Sequence, residues 1–480
     1  MSPVSSDMNH FAFQNLDYAL DVHANDRLVG RIGFDVNSNS FSFQYAQSWT
    51  KTPPGYALSP YLPLDGSAST HTIHRFLENL LPEGRALDVA SVYSNIQKNN
   101  VFGLTRYLGK ETSGALSFLP AGQAHRPIAP TAREITFGEL QSRIEQRAQI
   151  PFTVWDTKVR MSLAGFQDKL VVHMHQGRLF LADGGLSSTH ILKPEPTNAA
   201  LPFMVANEHF CMQLAKRISL QRYKRSHVAH VGILRVPSPV LAIRRFDRAP
   251  SHQLQEIGLM SPDQQPSGKT ISLDPMVRLH IIDGCQASDL SVAAKYERNI
   301  GNSEDVAHIR DGASFVKIFN VRPFLEVPAI GVQRLVLWAV TTLLFGNSDA
   351  HGKNISFYVG RAGLNVGELY DLVNVTQYDL NKLEHTLAMA FGDVFELEDV
   401  KSFALADFCI RCGINRSFFA RELETLCKIA LEQAPLQSQD VAYVGAERDA
   451  VKKIADFVMQ RATALKAMAG QIKKYKSDMF

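Results

Sequence analysis

The most apolar run in the chain, Leu335 to Phe345 (LVLWAVTTLLF), leads straight into Gly346-Asn-Ser-Asp349-Ala-His351-Gly-Lys353-Asn354. No other juxtaposition constrains the fold as much. A run apolar on every side reads as a buried helix, and a buried helix fixes the loop that follows it. The run is far short of the roughly 18 residues a membrane span needs. Past the loop, Ile355 to Tyr370 reads as a hairpin turning at Gly360-Arg-Ala-Gly363. Acids and amides thus sit between a rigid helix and a strand pair, a sound support for a metal or catalytic site.

The residue types in that loop suggest a chemistry. Asp349 and Asn354 are five apart, the spacing of the catalytic Asp and the metal-binding Asn in protein-kinase catalytic loops. Asp371 follows the hairpin in Leu369-Tyr370-Asp371-Leu372, where a second Mg²⁺ ligand is expected. Phosphoryl transfer needs a carboxylate to orient a hydroxyl and accept its proton, and hard oxygen ligands for Mg²⁺ on the phosphates. The plainer alternative is a polar turn in which Asn347, Ser348 and Asp349 only cap a helix end. Two upstream segments favour the chemical reading. Lys193 ends the apolar strand His190-Ile-Leu-Lys193, where an ammonium needs anionic partners; Glu208, in a predicted helix, and a triphosphate would both serve. Ser162-Leu-Ala-Gly165-Phe-Gln-Asp-Lys169 joins a loop to a strand, and its small residues let backbone N–H groups approach phosphate oxygens. It matches neither the G-x-G-x-x-G fingerprint nor a P-loop.

Organisation along the chain is consistent with this. Strands are expected at Tyr18 to Val22, Leu28 to Phe34 and Ser40 to Tyr45, with Asn37-Ser38-Asn39 as a hairpin turn. A proline-rich loop, Pro53 to Pro63, precedes a helix over Thr70 to Leu81 that ends at Pro82-Glu83-Gly84. Ala121 to Pro130 reads as a boundary loop. Next come Lys169 to Met174 and Arg178 to Ala182 around Gln176-Gly177, the strand Thr189 to Lys193, and the helix Asn207 to Ile218. Ala229 to Leu234 and Val240 to Arg244 complete an expected five-stranded sheet carrying one helix. After Pro275 the pattern is mostly helical. The expected division is 15–122 as an accessory subdomain, 150–250 as a β-rich nucleotide-binding lobe and 251–480 as a helical catalytic lobe.

Composition narrows the class of function. With 45% hydrophobic residues the chain can bury enough surface to offset its conformational entropy, which excludes disorder. Fifty Lys+Arg against 47 Asp+Glu leave +3, which excludes an obligate polycation. Met1 to Phe11 lacks the apolar core of a secretory signal, so a cytoplasmic location is expected. Five cysteines suit a reduced core; Cys409-Ile-Arg-Cys412 has no second ligand pair at zinc spacing.

Eight segments stand in the order found in the HipA-like kinases, the toxin components of bacterial toxin–antitoxin modules. They are Ser162 to Lys169, Ile191-Leu-Lys193-Pro, Asn207-Glu208-His-Phe-Cys211, Arg245-Phe-Asp-Arg248, Cys285-Gln286, Lys295-Tyr-Glu297, Asp349-x-His-x-Lys-Asn354 and Tyr370-Asp371. Pro63-Leu64, Phe76-Leu-Glu-Asn-Leu-Leu-Pro82-Glu-Gly and Gly114-Ala115-Leu116 resemble the N-terminal third of that family.

The resemblance implies an α+β, bilobed, protein-kinase-like (HipA-like) fold: a β-rich N-terminal lobe with an accessory subdomain, and a mostly helical C-terminal lobe. It implies an ATP- and Mg²⁺-dependent serine/threonine protein kinase. Asp349 would be the catalytic base, and Asn354 and Asp371 the metal ligands. Ala164, Gly165, Phe166, Gln167, Asp168 and Lys169 would form the phosphate loop, and Lys193 would contact the phosphates. Arg244, Arg245 and Phe246 would meet adenine, and His351, Lys353 and Tyr370 would line the nucleotide site. Ser162 matches the serine whose autophosphorylation switches these kinases off. The implied partners are a protein substrate (an aminoacyl-tRNA synthetase by analogy), a small helix-turn-helix antitoxin and, mainly through it, operator DNA; no membrane is implied. Two positions depart from the family pattern: Arg244, often acidic there, and Phe166, bulkier than usual.

Two other readings compete. A catalytically silent corepressor binding antitoxin and operator DNA draws on Leu405 to Leu426, where two helical stretches flank Cys412-Gly-Ile-Asn415 and the second starts at Ser417 as N-cap, like a helix-turn-helix. Lys473-Lys474-Tyr-Lys476 could add phosphate contacts, although cations are ordinary at a helix end. A small-molecule or lipid kinase finds no amphipathic membrane segment or lipid motif in support.

Overall fold

The computed structural model describes residues 11, 15–51, 55–123, 130–160, 167–250, 255–260, 266–273, 276–379, 385–476 and 479–480. The chain forms two compact units, each discontinuous in sequence. Met1–Pro194, Arg235–Ile282 and Tyr358–Gly363 make the first; Glu195–Leu234, Asp283–Phe357 and Leu364–Phe480 make the second.

The first unit is β-rich. One antiparallel sheet runs Ser40–Tyr45, Arg27–Asp35, Ala19–Ala24, Leu116–Pro120. The expected turn at 37–39 forms because the Asp35 carboxylate accepts from Asn37 N at 2.9 Å and Ser38 Oγ at 2.7 Å, while Asn39 takes a left-handed φ of 49°. Asp21 and Arg31 face each other across two central strands and are buried. Arg31 donates to both carboxylate oxygens, at 2.7 and 3.2 Å, which offsets part of their desolvation.

The second sheet of this unit is larger than five strands. Within this unit its strands follow the order Pro239–Arg244, His190–Pro194, Leu170–His175, Arg178–Asp183, Thr131–Ile135, Gln255–Met260, Pro266–Leu273. The Gln176-Gly177 hairpin is as expected, with φ of 48° and 76° at its two residues, the left-handed pair of a type I′ turn. The added strands escaped prediction because their pairing is non-local. Thr131–Ile135 lies antiparallel to Arg178–Asp183 and parallel to Gln255–Met260, and no hairpin turn announces either pairing. The strands within 255–273 belong to this unit, although the sequence division put them in the helical lobe. Short helices among the described residues of this unit were also missed: Gln47–Lys51, Gly84–Ser94, Val101–Leu108 and Phe137–Glu145. The helix expected over 70–81 spans Thr70–Glu78, with the Ser69 hydroxyl accepting from Thr72 N at 3.1 Å. Gly84, expected in its stop signal, opens the next helix.

The second unit is mostly helical: Met204–Tyr223, Pro328–Phe345, Ser402–Arg411, Arg416–Ser438 and Glu447–Ile472. The helix begins upstream of the apolar run, with Pro328 at its first position, and at 18 residues it is long and apolar enough to cross a bilayer. Leu335 to Phe345 are instead buried among protein atoms. Trp338 from this helix meets Phe315, which also packs against Phe391 and Phe408. Phe408 extends the aromatic core to Phe419 at 5.5 Å.

The suspected helix-turn-helix is a pair of core helices, Ser402–Arg411 and Arg416–Ser438, turned at Gly413 with φ of 61°. Its second helix is capped by Asn415, whose Oδ1 accepts from Phe418 N at 2.9 Å; the expected cap at Ser417 is already inside the helix. Phe419, Leu423, Leu426 and Cys427 are buried, and Glu422 pairs with Arg222 and accepts from the Tyr223 hydroxyl. All five cysteines are buried free thiols, and burial raises the pKa of Cys409 and Cys412.

Candidate active site

The loop after the buried helix is built from its glycine outward. Gly346 takes a left-handed φ of 59°, and an added Cβ there would sit 2.8 Å from Thr376 Cγ2. Conformation and space both call for glycine. The buried Asn347 side chain then ties two segments together. Its Oδ1 accepts from Asp349 N at 3.2 Å, and its Nδ2 donates to the Asp371 carbonyl at 3.4 Å. Asn354 Nδ2 donates to the Asp349 carbonyl at 2.7 Å, and His351 N donates to the same oxygen at 2.8 Å. The backbone of Asp349 is therefore held from three directions while the residue stays exposed. Its Oδ1 accepts from the Tyr296 hydroxyl at 2.7 Å.

Asp371 has a left-handed φ of 57°, an uncommon conformation for a residue with a side chain. Asn374 fixes the segment behind it by donating to the Phe345 carbonyl at 2.8 Å. Asn207, from the first turn of Met204–Tyr223, pairs reciprocally with the Asn374 backbone, accepting its N–H and donating to its carbonyl at 2.8 Å each. The Asn207 of the ordered motifs thereby joins its helix to the Asp371 segment.

His351, Lys353 and Tyr370 are buried or nearly so. His351 Nδ1 accepts from Lys353 N at 3.2 Å. Lys353 Nζ lies 2.6 Å from Asp283 Oδ2. Asp283 also caps Gly284–Ala287 in a reciprocal box with Gln286, which explains the Gln of Cys285-Gln286. The Tyr370 hydroxyl donates to the Lys353 carbonyl at 2.6 Å, and burial pushes its pKa up. Glu297 of Lys295-Tyr-Glu297 is buried, which raises its pKa; Oε2 accepts from Ala390 N at 2.8 Å, and Arg310 Nε donates to Oε1 at 2.8 Å.

The first unit holds the residues expected for the phosphate loop and the adenine segment. Lys193 lies in His190–Pro194, whose register pairs Leu192 with Leu170. Continuing that register by one residue sets Lys193 across from Lys169, on one face of the sheet. Both lysines are buried. Asp168 has Arg147 at 3.8 Å. Ser162, Ala164, Gly165 and Phe166 lie outside the described residues, so only Gln167 to Lys169 of the expected phosphate loop are placed.

At the expected adenine segment, Arg244 is exposed at its strand end and Phe246 is half-buried, its carbonyl accepting from the Tyr358 hydroxyl at 2.9 Å. Arg245 is buried and turns toward residues 111–114. It donates to both Asp247 oxygens at 3.0 and 2.7 Å and to Ser188 Oγ at 2.9 Å. Arg248 donates to Asp247 Oδ2 at 2.7 Å and to the Gly114 carbonyl at 3.0 Å, and Glu111 lies 3.6 Å from both arginines. Burial opposes the Asp247 anion, yet Arg245 and Arg248 hold its carboxyl well below the usual carboxylate range. The arginines of Arg245-Phe-Asp-Arg248 thus secure a buried network that reaches Gly114 of the N-terminal motifs.

Among the described residues, no group of three or more His, Cys, Asp or Glu could hold a metal ion. With Asn354 Nδ2 committed to a carbonyl, Oδ1 is the atom that side chain offers a cation, and Asp371 supplies a carboxylate. Sequence reasoning missed Asn347, Asn374 and any role for Tyr296; the last lay inside a quoted motif.

Comparison with known proteins identifies the family. The model of the HipA N-terminal domain matches residues 20–119, and that of the HipA-like C-terminal domain matches 161–434. The chain is 34% identical over 436 residues to the serine/threonine-protein kinase toxin HipA of Shewanella oneidensis, covering 88% of this chain and 92% of that protein. It is 26% identical over 449 residues to Y4mE of Sinorhizobium fredii, covering 92% and 97%. A solved complex of Shewanella oneidensis HipA with HipB and operator DNA superposes with a TM-score of 0.80 at 32% identity, over 95% of this chain and 100% of that one. This chain belongs to the HipA-like family and has its α+β fold.

Proposed function

We propose that this protein is an ATP-dependent serine/threonine protein kinase acting as the toxin of a toxin–antitoxin module. The observation that carries the reading is the exposed Asp349 carboxylate on a backbone held by Asn347, Asn354 and His351. Such a carboxylate can orient an incoming hydroxyl without reorganising. As that oxygen bonds to the γ-phosphorus, its proton passes to Asp349 and ADP departs with the bridging oxygen. Asn354 Oδ1 and Asp371 would hold Mg²⁺, which supplies charge neutralisation on the phosphates. Lys193 would contact the phosphates and Lys169 would belong to the phosphate loop, as in the family. Gln167 and Asp168, with Ala164, Gly165 and Phe166, would complete the phosphate loop. Arg244, Arg245 and Phe246 would set the adenine segment, with Arg245 acting through packing and the contact made by backbone groups or Phe246. His351, Lys353 and Tyr370 would shape the nucleotide wall.

Phosphate on Ser162 would add about −1.5 to −2 charges beside a loop that must embrace a polyanion, and so switch the kinase off. Its Shewanella relative was solved with HipB and operator DNA. We assign this chain a small helix-turn-helix antitoxin as partner, operator DNA mainly through it, and a cytoplasmic protein substrate concerned with translation, such as an aminoacyl-tRNA synthetase.

The test is incubation with labelled ATP and Mg²⁺, with phosphate mapped by mass spectrometry. Label on Ser162 that Asp349→Asn and Asp371→Asn each abolish is expected. Unimpaired labelling in both variants overturns the catalytic assignment. Absence of label in the native protein, together with salt-dependent operator binding, would identify a silent corepressor instead.

A further inference from the structure

We infer that Tyr296 is a positioning residue for phosphoryl transfer, holding the Asp349 carboxylate by one oxygen so that the other faces the acceptor hydroxyl. The inference rests on the kinase reading above. Tyr296 Oη donates to Asp349 Oδ1 at 2.7 Å, a length typical of a hydroxyl bonded to an anionic oxygen. A carboxylate on a single Cβ–Cγ bond otherwise rotates through a broad range. A fixed donor on Oδ1 selects the rotamer and leaves Oδ2 for the substrate.

The tyrosine is anchored well enough for this task. Gly352 N donates to the Lys295 carbonyl at 2.9 Å, and Glu297 N donates to the Ala388 carbonyl at 2.9 Å, so both neighbours of Tyr296 are pinned. Gly312 lies against the Tyr296 carbonyl so closely that an added Cβ would fall 1.8 Å from it. The ring itself stands edge-on to His351, centroids 5.0 Å apart at 88°. His351 N is in turn bonded to the Asp349 carbonyl. Ring and hydroxyl therefore address the same loop from one fixed point. Tyr296 remains 37% exposed, so the carboxylate is reached from solvent beside the ring.

The test compares Tyr296→Phe with the native full-length protein in single-turnover autophosphorylation with labelled ATP and Mg²⁺. Phenylalanine keeps the ring on His351 and removes only the hydroxyl. We expect the maximal rate to fall about tenfold, the loss of one charge-assisted hydrogen bond, with the ATP concentration at half-maximal rate and the thermal midpoint unchanged. In an Asp349→Asn background the same substitution should leave any residual rate unaltered. Full activity in Tyr296→Phe would overturn the inference, as would a loss arising only from weaker ATP binding. A native protein that does not phosphorylate at all fails the kinase reading itself, and a native protein active through Asp349 keeps the two tests separate.

Discussion

At the residue scale the site divides into groups that chemistry names and groups that only geometry reveals. Asp349, Asn354 and Asp371 could be proposed from the sequence because phosphoryl transfer admits few side chains at fixed spacing. Asn347 read as a turn residue because one of its partners, the Asp371 carbonyl, lies 24 positions away, and Tyr296 is 53 positions from Asp349. Spacing arguments do not reach that far. Replacing Asn347 with Ala removes the bonds to Asp349 N and the Asp371 carbonyl together. The buried groups it strands should cost about 1–3 kcal/mol of stability. The slackened loop should slow phosphoryl transfer by up to roughly a hundredfold, since such misplacement is felt at the reacting atoms. Urea unfolding and single-turnover labelling measure the two effects separately, and a rate unchanged in Asn347→Ala would mean the tie is not needed for catalysis.

Elements were legible where local rules govern them and obscure where distant partners do. The hairpin at Gln176-Gly177, the helix starting at Thr70 and the buried helix ending at Gly346 follow from nearby residues. Thr131–Ile135 depends on Arg178–Asp183 and Gln255–Met260, so its strand character is conferred by tertiary pairing. Gly346 is where a local rule most affects the site. Gly346→Ala would place a Cβ in a left-handed conformation, costing about 1–2 kcal/mol. It would also press that Cβ on Thr376 at 2.8 Å and on Phe457 at 3.0 Å, adding about 1–3 kcal/mol of overpacking. We expect a lower urea midpoint and a loss of phosphorylation rate. Gly445→Ala, where φ is 53° but nothing lies within 4 Å, should show the conformational cost alone. Equal losses at the two glycines would show that packing on Thr376 is immaterial.

At the scale of the whole molecule, stability should depend on acid through buried groups outside the proposed catalytic loop. In the β-rich unit Asp247 is surrounded by arginines, and Asp247→Asn would leave Arg245 and Arg248 without their nearest counter-charge, a loss of about 3–5 kcal/mol. Its carboxyl is held below the ordinary value of 3.8, so its contribution is full above about pH 4 and drains away below it. His280 acts earlier in an acid titration. It is 4% exposed, its Nε2 bonds the Leu58 carbonyl at 2.9 Å, and burial lowers its pKa from 6.5 to about 4. The unfolded chain therefore binds this proton first, and stability present above pH 6.5 is lost as pH falls toward 4. Across that window the single site is worth about 3 kcal/mol, from roughly 1.4 kcal/mol per unit. His190 and His227 are lowered in the same direction, chiefly by burial and then by nearby arginines, and steepen the same limb. His280→Gln can keep a donor near the Leu58 carbonyl while removing the titration. Thermal midpoints measured from pH 7 to 4.5 should fall less steeply in that variant than in the native protein. Parallel profiles would show that His280 does not enter the fold as a neutral ring.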